Sequence, residues 1–216
     1  MIKRLIFDVD NTLITNVNFV KSIEKTLKQI KLYSEENTKG FINGIKTYED
    51  IYDNYNKSDY IYHMEQNIGN ALPSNFLEIF FENLKDAIPN DNSSLINTIK
   101  QLSKKYELVL LTNYFSKSQL NRLNNMGIGH YFTECYGENL IKPNRDAYIS
   151  ACGKNKPSEC VMIGDDIFLD IECAMNVGMH TIFINAKNVS TDNINTISVK
   201  RVEDIDEKLI ESIELK

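Results

Sequence analysis

Acidic side chains follow the first apolar run of the chain, and their position points to chemistry on a charged group. Asp8 and Asp10 come after Leu5-Ile6-Phe7 and are separated by one residue. A carboxylate in this position can act as a nucleophile that divides a difficult displacement into two easier steps, and a second carboxylate two residues on can share its site. An aspartate at the end of a strand is also a common turn former, so the pair alone is weak evidence.

Two later apolar runs also end in polar residues. Thr112-Asn113 follow Leu108-Val109-Leu110-Leu111, and Asp165-Asp166 follow Val161-Met162-Ile163 after one glycine. Short, nearly continuous apolar runs are typical of parallel strands that helices cover on both faces. Because ligands bind beyond the carboxyl ends of the strands in open α/β sheets, we expect the three polar segments to face one crevice.

The segments between these runs have apolar residues at helical spacing. Ser93 or Ser94 is predicted to cap the helix before the second strand, and Ser116 to cap the helix after it, which Gly127 would end. Later segments predict a short helix over 170–177, strands over 181–184 and 197–202, and a final helix through Leu215. This alternation predicts an α/β fold with a doubly wound, mainly parallel, Rossmann-like sheet.

One long stretch interrupts the alternation. No clear strand occurs between the first apolar run and the helix near Leu95, although a crossover needs far fewer residues. We therefore predict an α/β catalytic core of residues 1–13 and 91–216 and an inserted all-α cap of residues 14–90. The insertion leaves the core at the carboxyl end of the first strand, so we expect it to cover the crevice.

The predicted cap is rich in tyrosine. Tyr48, Tyr52 and Tyr55 are predicted to share one helical face, which could stack on a nucleobase or bind a sugar. Packing within the cap is the interpretation that we favour, because aromatic side chains dominate core energetics in any case.

Composition excludes several classes of function. With 24 Lys and Arg against 30 Asp and Glu, the formal charge is −6, and the chain lacks the basic stripe that binding a nucleic acid polymer requires. No apolar run approaches the roughly 20 residues that span a membrane, and Asp8 interrupts the stretch where a signal peptide would be apolar, so we expect a cytoplasmic protein. The four cysteines show no CxxC pairing, which favours reduced thiols over a zinc site. Nothing in the sequence fixes the oligomeric state.

In their order along the chain, these motifs resemble the four signatures of the haloacid dehalogenase superfamily. The matching segments are Asp8-Val9-Asp10-Asn11-Thr12, Leu111-Thr112-Asn113, Lys142-Pro143, and Gly164-Asp165-Asp166 with Asp170. The resemblance covers about residues 1–13 and 91–205, and residues 15–88 have the position and helical character of that superfamily's first type of cap. Asn11 stands where the family often has glycine, and asparagine tolerates the left-handed conformation that such a turn requires.

The resemblance implies roles for these residues. Asp10 would protonate the leaving oxygen and then activate water, and Mg²⁺ would bind Asp8, the Asp10 backbone carbonyl and Asp165. Lys142 would neutralise Asp8 and the phosphoryl group.

The neighbouring polar residues have two interpretations each. The Thr112 hydroxyl and the Asn113 backbone N–H can hold phosphate oxygens, although a simple turn would have the same sequence. Either Asp166 or Asp170 would hold a metal-bound water or orient the lysine, with Asp170 favoured. The alternative is that Asp166 is solvated and Asp170 caps a helix.

The predicted activity is a Mg²⁺-dependent phosphatase that hydrolyses a small phosphorylated metabolite, such as a nucleoside monophosphate or a sugar phosphate, through an aspartyl-phosphate intermediate. An acid at Asp10 favours phosphoryl chemistry, because the dehalogenases proper lack an acid at that place and their halide product needs no proton. Two alternatives stay open at this point: a phosphomutase of the same superfamily, and a phosphoacceptor or binding protein without turnover.

Overall fold

The computed structural model of the chain describes residues 1–192 and 194–213 of the 216. A six-stranded parallel sheet with the order β3-β2-β1-β4-β5-β6 forms its centre. The strands are β1 (Arg4–Phe7), β2 (Glu107–Leu111), β3 (Phe132–Tyr136), β4 (Cys160–Gly164), β5 (His180–Ile184) and β6 (Ile197–Val199). The most N-terminal strand therefore lies in the interior of the sheet, between β2 and β4.

Helices connect the strands and also fill a long segment between β1 and β2. The described α-helices are α1 (Val20–Gln29), α2 (Glu35–Thr47), α3 (Lys57–Ile68), α4 (Phe76–Leu84), α5 (Ser93–Leu102), α6 (Ser116–Asn125), α7 (Arg145–Cys152), α8 (Cys173–Asn176) and α9 (Glu207–Ile213). A π-helical turn, Ile167–Glu172, leads into α8. None of the described helices is both long enough and apolar enough to cross a lipid bilayer.

Side chains of β1 alternate between two apolar cores, one on each face of the sheet. Leu5 and Phe7 pack in the core that includes residues of α5 and α9, whereas Ile6 packs in the core that includes residues of α7. All four residues of β1 are buried, as a strand covered on both faces requires. The predicted α/β Rossmann-like fold is confirmed.

The strand order explains why the polar segments meet. The chain moves from β1 outward to β2 and β3 and then crosses to β4 on the other side of β1. Leu5 pairs with both Leu108 and Val161, so the carboxyl ends of β1, β2 and β4 lie at one edge of the sheet. This reversal of direction is the place where open α/β sheets bind ligands.

Helices α1 to α4, which we call the helical insertion, have an apolar core of their own. Phe41, Phe76 and Phe80 are buried and form aromatic pairs with one another. Phe115 and Ile141, which follow β2 and β3, pack against the same cluster. The insertion is therefore packed directly onto the loops at the carboxyl edge of the sheet.

The prediction that three tyrosines share one helical face is wrong, whereas their packing against one another agrees with the interpretation that we favoured. α2 ends at Thr47, so Tyr52 and Tyr55 lie in the connection between α2 and α3. Tyr48 is fully buried, and its ring lies 4.6 Å from that of Tyr52 and 4.8 Å from that of Tyr55. Asn56 accepts backbone hydrogen bonds at the start of α3 and ends the connection.

Both predicted helix N-caps differ from the structure. Ser93 is the first residue of α5, and Asp91 rather than a serine accepts the hydrogen bond from its backbone N–H, at 3.0 Å. Ser116 likewise lies inside α6, where its hydroxyl donates to Glu138. Each serine therefore lies inside the first turn of its helix and is not the capping residue.

The C-terminal elements are shorter than predicted. β6 ends at Val199, and the segment over 170–177 is divided between the π-helical turn and the four-residue α8, which ends before Gly178 at φ 89°. α9 ends at Ile213 among the described residues, and the predicted continuation to Leu215 lies outside them. No disulfide joins the four cysteines, all of which lie among the described residues, and two of them, Cys152 and Cys160, are buried.

The buried position of β1 gives a test of the fold. Replacing Ile6 by alanine is expected to lower the free energy of unfolding by about 2–5 kcal/mol, because the side chain is fully buried and its removal leaves a cavity. Ile51→Ala is the matched control, since Ile51 is 64% exposed and its truncation should change stability by less than about 0.5 kcal/mol. Denaturant unfolding measures both values, and equal losses would contradict the buried central strand.

Candidate active site

A buried lysine joins two carboxylates from different strand ends. The Lys142 ammonium donates to Asp8 Oδ1 at 2.8 Å and to Asp170 Oδ1 at 2.6 Å. Only 3% of the lysine residue is exposed, and the side chains of Asp8 and Asp170 are 11% and 1% exposed. An ion triad this deeply buried fixes the relative positions of the segments after β1, β3 and β4.

The electrostatics of the triad follow from its burial. Burial raises the pKa of Asp8 to about 7, and the charges of Asp170 and Asp10 add to that rise while Lys142 opposes it. Burial lowers the pKa of Lys142, but the two carboxylates outweigh this effect and raise the pKa above its ordinary value. The lysine is therefore a fixed positive charge at the base of the crevice.

A glycine makes room for the buried aspartate. A Cβ atom on Gly164 would lie 2.1 Å from Asp170 Oδ2, so no larger residue fits there without moving the carboxylate. The same oxygen accepts the backbone N–H of Asp166 at 3.0 Å. Asp170 is thus oriented by Lys142 on one side and by the turn after β4 on the other, and it does not cap the following helix.

Three carboxylates at this edge could share a cation. Oxygens of Asp8, Asp165 and Asp170 lie within 4.8 Å of one another. Burial raises the pKa of Asp165 to about 6, and the charge of Asp170 adds to the rise. Hard oxygen donors of this kind suit Mg²⁺, and a divalent ion would relieve the repulsion between them.

Two of the three carboxylates in this cluster, Asp8 and Asp165, were expected as metal ligands, and the third, Asp170, was expected in a supporting role. Both oxygens of Asp170 already accept hydrogen bonds, from Lys142 and from the Asp166 backbone. Asp8 and Asp165 are consequently the carboxylates more free to bind a metal.

Asp10 lies apart from the triad and is held by α6. Arg122 Nη1 donates to Asp10 Oδ1 at 2.6 Å, and Gln119 Nε2 donates to Asp10 Oδ2 at 2.6 Å. Arg122 is 3% exposed and is itself fixed by the Ala87 carbonyl, which accepts from Nε and Nη2. The Asp10 side chain is 54% exposed, so it faces the crevice with a defined orientation.

The remaining predicted residues fall into two groups. Thr112 and Asn113 line the crevice, and the Asn113 side chain binds both the backbone N–H and the carbonyl of Lys142. Asp166 is exposed and accepts the backbone N–H of Leu169 at 2.8 Å, which is the arrangement of a turn cap. The positive φ of 62° at Asn11 confirms that the first loop uses the left-handed conformation.

The crevice has a volume of about 370 Å³ and two chemically distinct sides. Its floor is acidic and consists of the carboxylates described above. A second wall comes from the helical insertion and the loop after β2, and is mainly apolar and aromatic. Residues of that wall are Phe19, Ile45, Glu49, Tyr55, Phe80, Leu84 and Tyr114.

Sequence analysis missed Arg122, Gln119 and Glu49. Arg122 and Gln119 are three residues apart on α6, next to its apolar stripe, and polar residues in that pattern are usually solvent-facing. Their spacing on one helical face was the available signal. Glu49 has no such signal in the sequence, because its position in the crevice depends on how the insertion folds back over the sheet.

The family model of the haloacid dehalogenase-like hydrolases matches residues 5–184. The chain belongs to this family. The match spans the strands and loops that carry the triad and also the helical insertion, so the resemblance seen in the four motifs is confirmed.

Two curated relatives are phosphatases. The chain is 28% identical to glyceraldehyde 3-phosphate phosphatase from Methanothermobacter thermautotrophicus, over 95% of this chain and 97% of that protein. It is 34% identical to the Escherichia coli 5-amino-6-(5-phospho-D-ribitylamino)uracil phosphatase YigB over 97 residues, which are 43% of this chain and 39% of the relative. With the family match, these relatives support the prediction of a phosphoric monoester hydrolase.

Solved structures of the family share the fold. One is the hydrolase YfnB from Bacillus subtilis, determined with bound magnesium, which superposes with a TM-score of 0.69 at 16% identity and covers 96% of this chain and 98% of that one. At this level of identity the likeness establishes the architecture alone.

The close fit between Gly164 and Asp170 gives a test of the site. Gly164→Ala is expected to lower the free energy of unfolding by about 1–3 kcal/mol, because the added methyl group must displace the buried carboxylate. Gly69→Ala is the control: Gly69 has φ 72° but nothing within 4 Å of an added Cβ, so only backbone strain of about 1 kcal/mol is expected. A crystal structure of Gly164→Ala with Asp170 unmoved would contradict the account.

Proposed function

We propose that this chain is a Mg²⁺-dependent phosphatase that hydrolyses small phosphorylated metabolites through an aspartyl-phosphate on Asp8. The observation that carries the proposal is the contact of the buried Lys142 with Asp8, beside the carboxylate of Asp165. A phosphate monoester resists attack because its oxygens are negative, so a catalyst must supply positive charge, a fixed nucleophile and a proton. The crevice has a residue for each requirement.

In the first step, a carboxylate oxygen of Asp8 attacks phosphorus. The new bond joins Asp8 to phosphorus while the bond to the leaving oxygen breaks, and Asp10 gives that oxygen a proton. Lys142 donates to Asp8 Oδ1 and to Asp170 Oδ1, so its positive charge lies beside the reacting group. The products of this step are a free alcohol and the aspartyl-phosphate.

In the second step, water attacks the phosphorus of the aspartyl-phosphate. Asp10, now without its proton, accepts one from the water while the bond between phosphorus and Asp8 breaks. Inorganic phosphate leaves, and both aspartates return to their initial states. Arg122 and Gln119 act as positioning residues, because each fixes one oxygen of Asp10.

Asp8, the Asp10 backbone carbonyl and Asp165 are the ligands that we propose for the metal, with Asp170 as support. When bound, Mg²⁺ would neutralise phosphate charge between these carboxylates. The bound magnesium of the YfnB structure supports the choice of ion.

Thr112 and Asn113 are proposed to hold phosphate oxygens. Both line the crevice, and Gln119 donates to the Thr112 hydroxyl at 3.2 Å, which leaves the hydroxyl hydrogen for a phosphate oxygen. The Asn113 side chain is already bonded to Lys142, so the backbone N–H is the group proposed to face phosphate.

We propose that residues 14–90 form a cap on a core of residues 1–13 and 91–216. Direct contacts between the two parts support this division: Tyr55 N–H donates to the Glu138 carbonyl at 2.7 Å, and the hydroxyls of Tyr60 and Tyr114 are 3.3 Å apart. The insertion has its own apolar core, so it is a unit that can cover the crevice and exclude water from it.

The leaving group is a small alcohol, in keeping with a crevice of about 370 Å³ and with the phosphatase relatives. A sugar phosphate or a nucleoside monophosphate meets this condition. The apolar wall beside Tyr55 and Tyr114 can pack against either a sugar face or a base. A phosphomutase would use the same two aspartates but would return the phosphate to its product, so free phosphate distinguishes the two activities.

The central test replaces the nucleophile. Asp8→Asn is expected to lower kcat by at least about 1,000-fold, because the amide cannot form the covalent intermediate. Phosphate release from p-nitrophenyl phosphate and from a panel of sugar phosphates and nucleoside monophosphates measures the effect, with Mg²⁺ or with EDTA. EDTA should abolish release by the unaltered enzyme, and the exposed Asp50→Asn variant should retain it. Persistent release by Asp8→Asn, or with EDTA, would overturn the mechanism.

Asp10 is tested with two leaving groups. Asp10→Asn is expected to lower kcat for alkyl phosphates by about 100-fold or more, because the alkoxide leaves without a proton. With 2,4-dinitrophenyl phosphate the first step needs no proton, so the variant should release one burst of dinitrophenol per active site and then turn over slowly. Stopped-flow absorbance measures the burst. Unchanged alkyl phosphate turnover would contradict the assignment.

A further inference from the structure

Glu49 is an exposed carboxylate among the mainly apolar and aromatic residues that line the crevice. Its Oε1 accepts the Tyr55 hydroxyl at 2.8 Å, and its Oε2 accepts the Asn113 side-chain amide at 3.1 Å. Both oxygens are therefore oriented, one by the insertion and one by the loop after β2. Through Asn113, Glu49 is connected to Thr112 and to the backbone of Lys142, so it lines the same crevice as the residues proposed to bind phosphate.

The positive charges around the crevice are already committed to other groups. Among the described residues that line it, only Arg122 and Lys142 are cationic. Arg122 donates to Asp10, Gln119 and the Ala87 carbonyl, with 4% of its side chain exposed. Lys142 donates to Asp8 and Asp170 and is 3% exposed. Neither is free to bind an anionic group on the leaving alcohol.

The rest of the leaving-group side is apolar or hydroxylic. Phe19, Ile45, Phe80 and Leu84 supply apolar surface, and Tyr55 and Tyr114 supply aromatic rings. A second anion placed here would face the Glu49 carboxylate and would gain no positive partner among the described lining residues. A hydroxyl group in the same place could donate to Glu49 and pack its carbon skeleton against the apolar wall.

We infer that the enzyme selects phosphate esters whose leaving alcohol is uncharged and hydroxylated, and that Glu49 rejects esters whose leaving group carries a carboxylate or a second phosphate. The inference rests on the proposed phosphatase activity and names the substrate class of that same site. Glu49 is in this account a specificity-determining residue that takes no part in the chemical steps.

The test compares two esters that differ in one group. Glycerol 3-phosphate and 3-phosphoglycerate share the phosphorylated carbon and the adjacent hydroxyl, but one ends in a hydroxymethyl group and the other in a carboxylate. The unaltered enzyme should prefer glycerol 3-phosphate in kcat/KM by at least about tenfold. Glu49→Gln should raise the relative kcat/KM for 3-phosphoglycerate by about tenfold and so remove most of the preference.

Two control variants separate charge from other effects. Asp50→Asn removes a neighbouring exposed carboxylate that does not line the crevice, and it should leave the ratio of the two esters unchanged. Tyr55→Phe removes the hydrogen bond to Glu49 but keeps the charge, and it should alter both esters by a similar factor. An equal preference for the two esters in the unaltered enzyme, or the same ratio in Glu49→Gln, would overturn the inference.

If the chain is not a phosphatase, the experiment gives a result that differs from failure of the Glu49 inference alone. Hydrolysis of p-nitrophenyl phosphate is measured in parallel, and its absence from the folded enzyme would refute the phosphatase itself. Glycerol 3-phosphate and 3-phosphoglycerate are each also measured as inhibitors of that hydrolysis, so an ester with slow turnover still yields a relative affinity. A further outcome is that the unaltered enzyme and Glu49→Gln both hydrolyse p-nitrophenyl phosphate and are inhibited equally by the two esters. That result would support the phosphatase activity and contradict the role of Glu49.

Discussion

The contact between one buried lysine and two buried aspartates sets the geometry of the whole site. Lys142, Asp8 and Asp170 come from three loops at the carboxyl edge of the sheet, and each is almost fully buried. Removal of one member would leave an uncompensated buried charge, at a typical cost of about 3–5 kcal/mol. The parallel sheet, the glycine at position 164 and the short turn after β4 all serve to bring these charges together.

The helical insertion completes the site from the other side. It supplies the apolar wall and Glu49, and its contacts with the loops after β2 and β3 hold it over the acidic floor. α6 connects the two parts, because Phe115 just before it packs in the core of the insertion while Gln119 and Arg122 orient Asp10. In our proposal, substrate choice and chemistry are carried by different parts of one continuous crevice.

Residues near strand ends could be predicted from the sequence, whereas contacts made across the insertion could not. Apolar runs located β1, β2 and β4, and the polar residues after them located Asp8, Thr112 and Asp165, because strand ends follow directly from local pattern. The resemblance to a family located Lys142. Arg122 and Glu49 were not predicted as site residues, because their partners Asp10 and Asn113 are 112 and 64 residues away in the chain. The predicted caps at Ser93 and Ser116 are wrong for a local reason, because each serine is already the first residue of its helix.

The most direct measurement of the central claim is chemical trapping of the intermediate on Asp8. The enzyme is mixed with Mg²⁺ and p-nitrophenyl phosphate, quenched within the first turnover and treated with borohydride, which reduces an aspartyl-phosphate to homoserine. Peptide mass spectrometry then locates the reduced residue. The account predicts reduction at position 8 only, dependent on both substrate and metal. Reduction at Asp10 or Asp165, or none in an enzyme that releases phosphate, would contradict it.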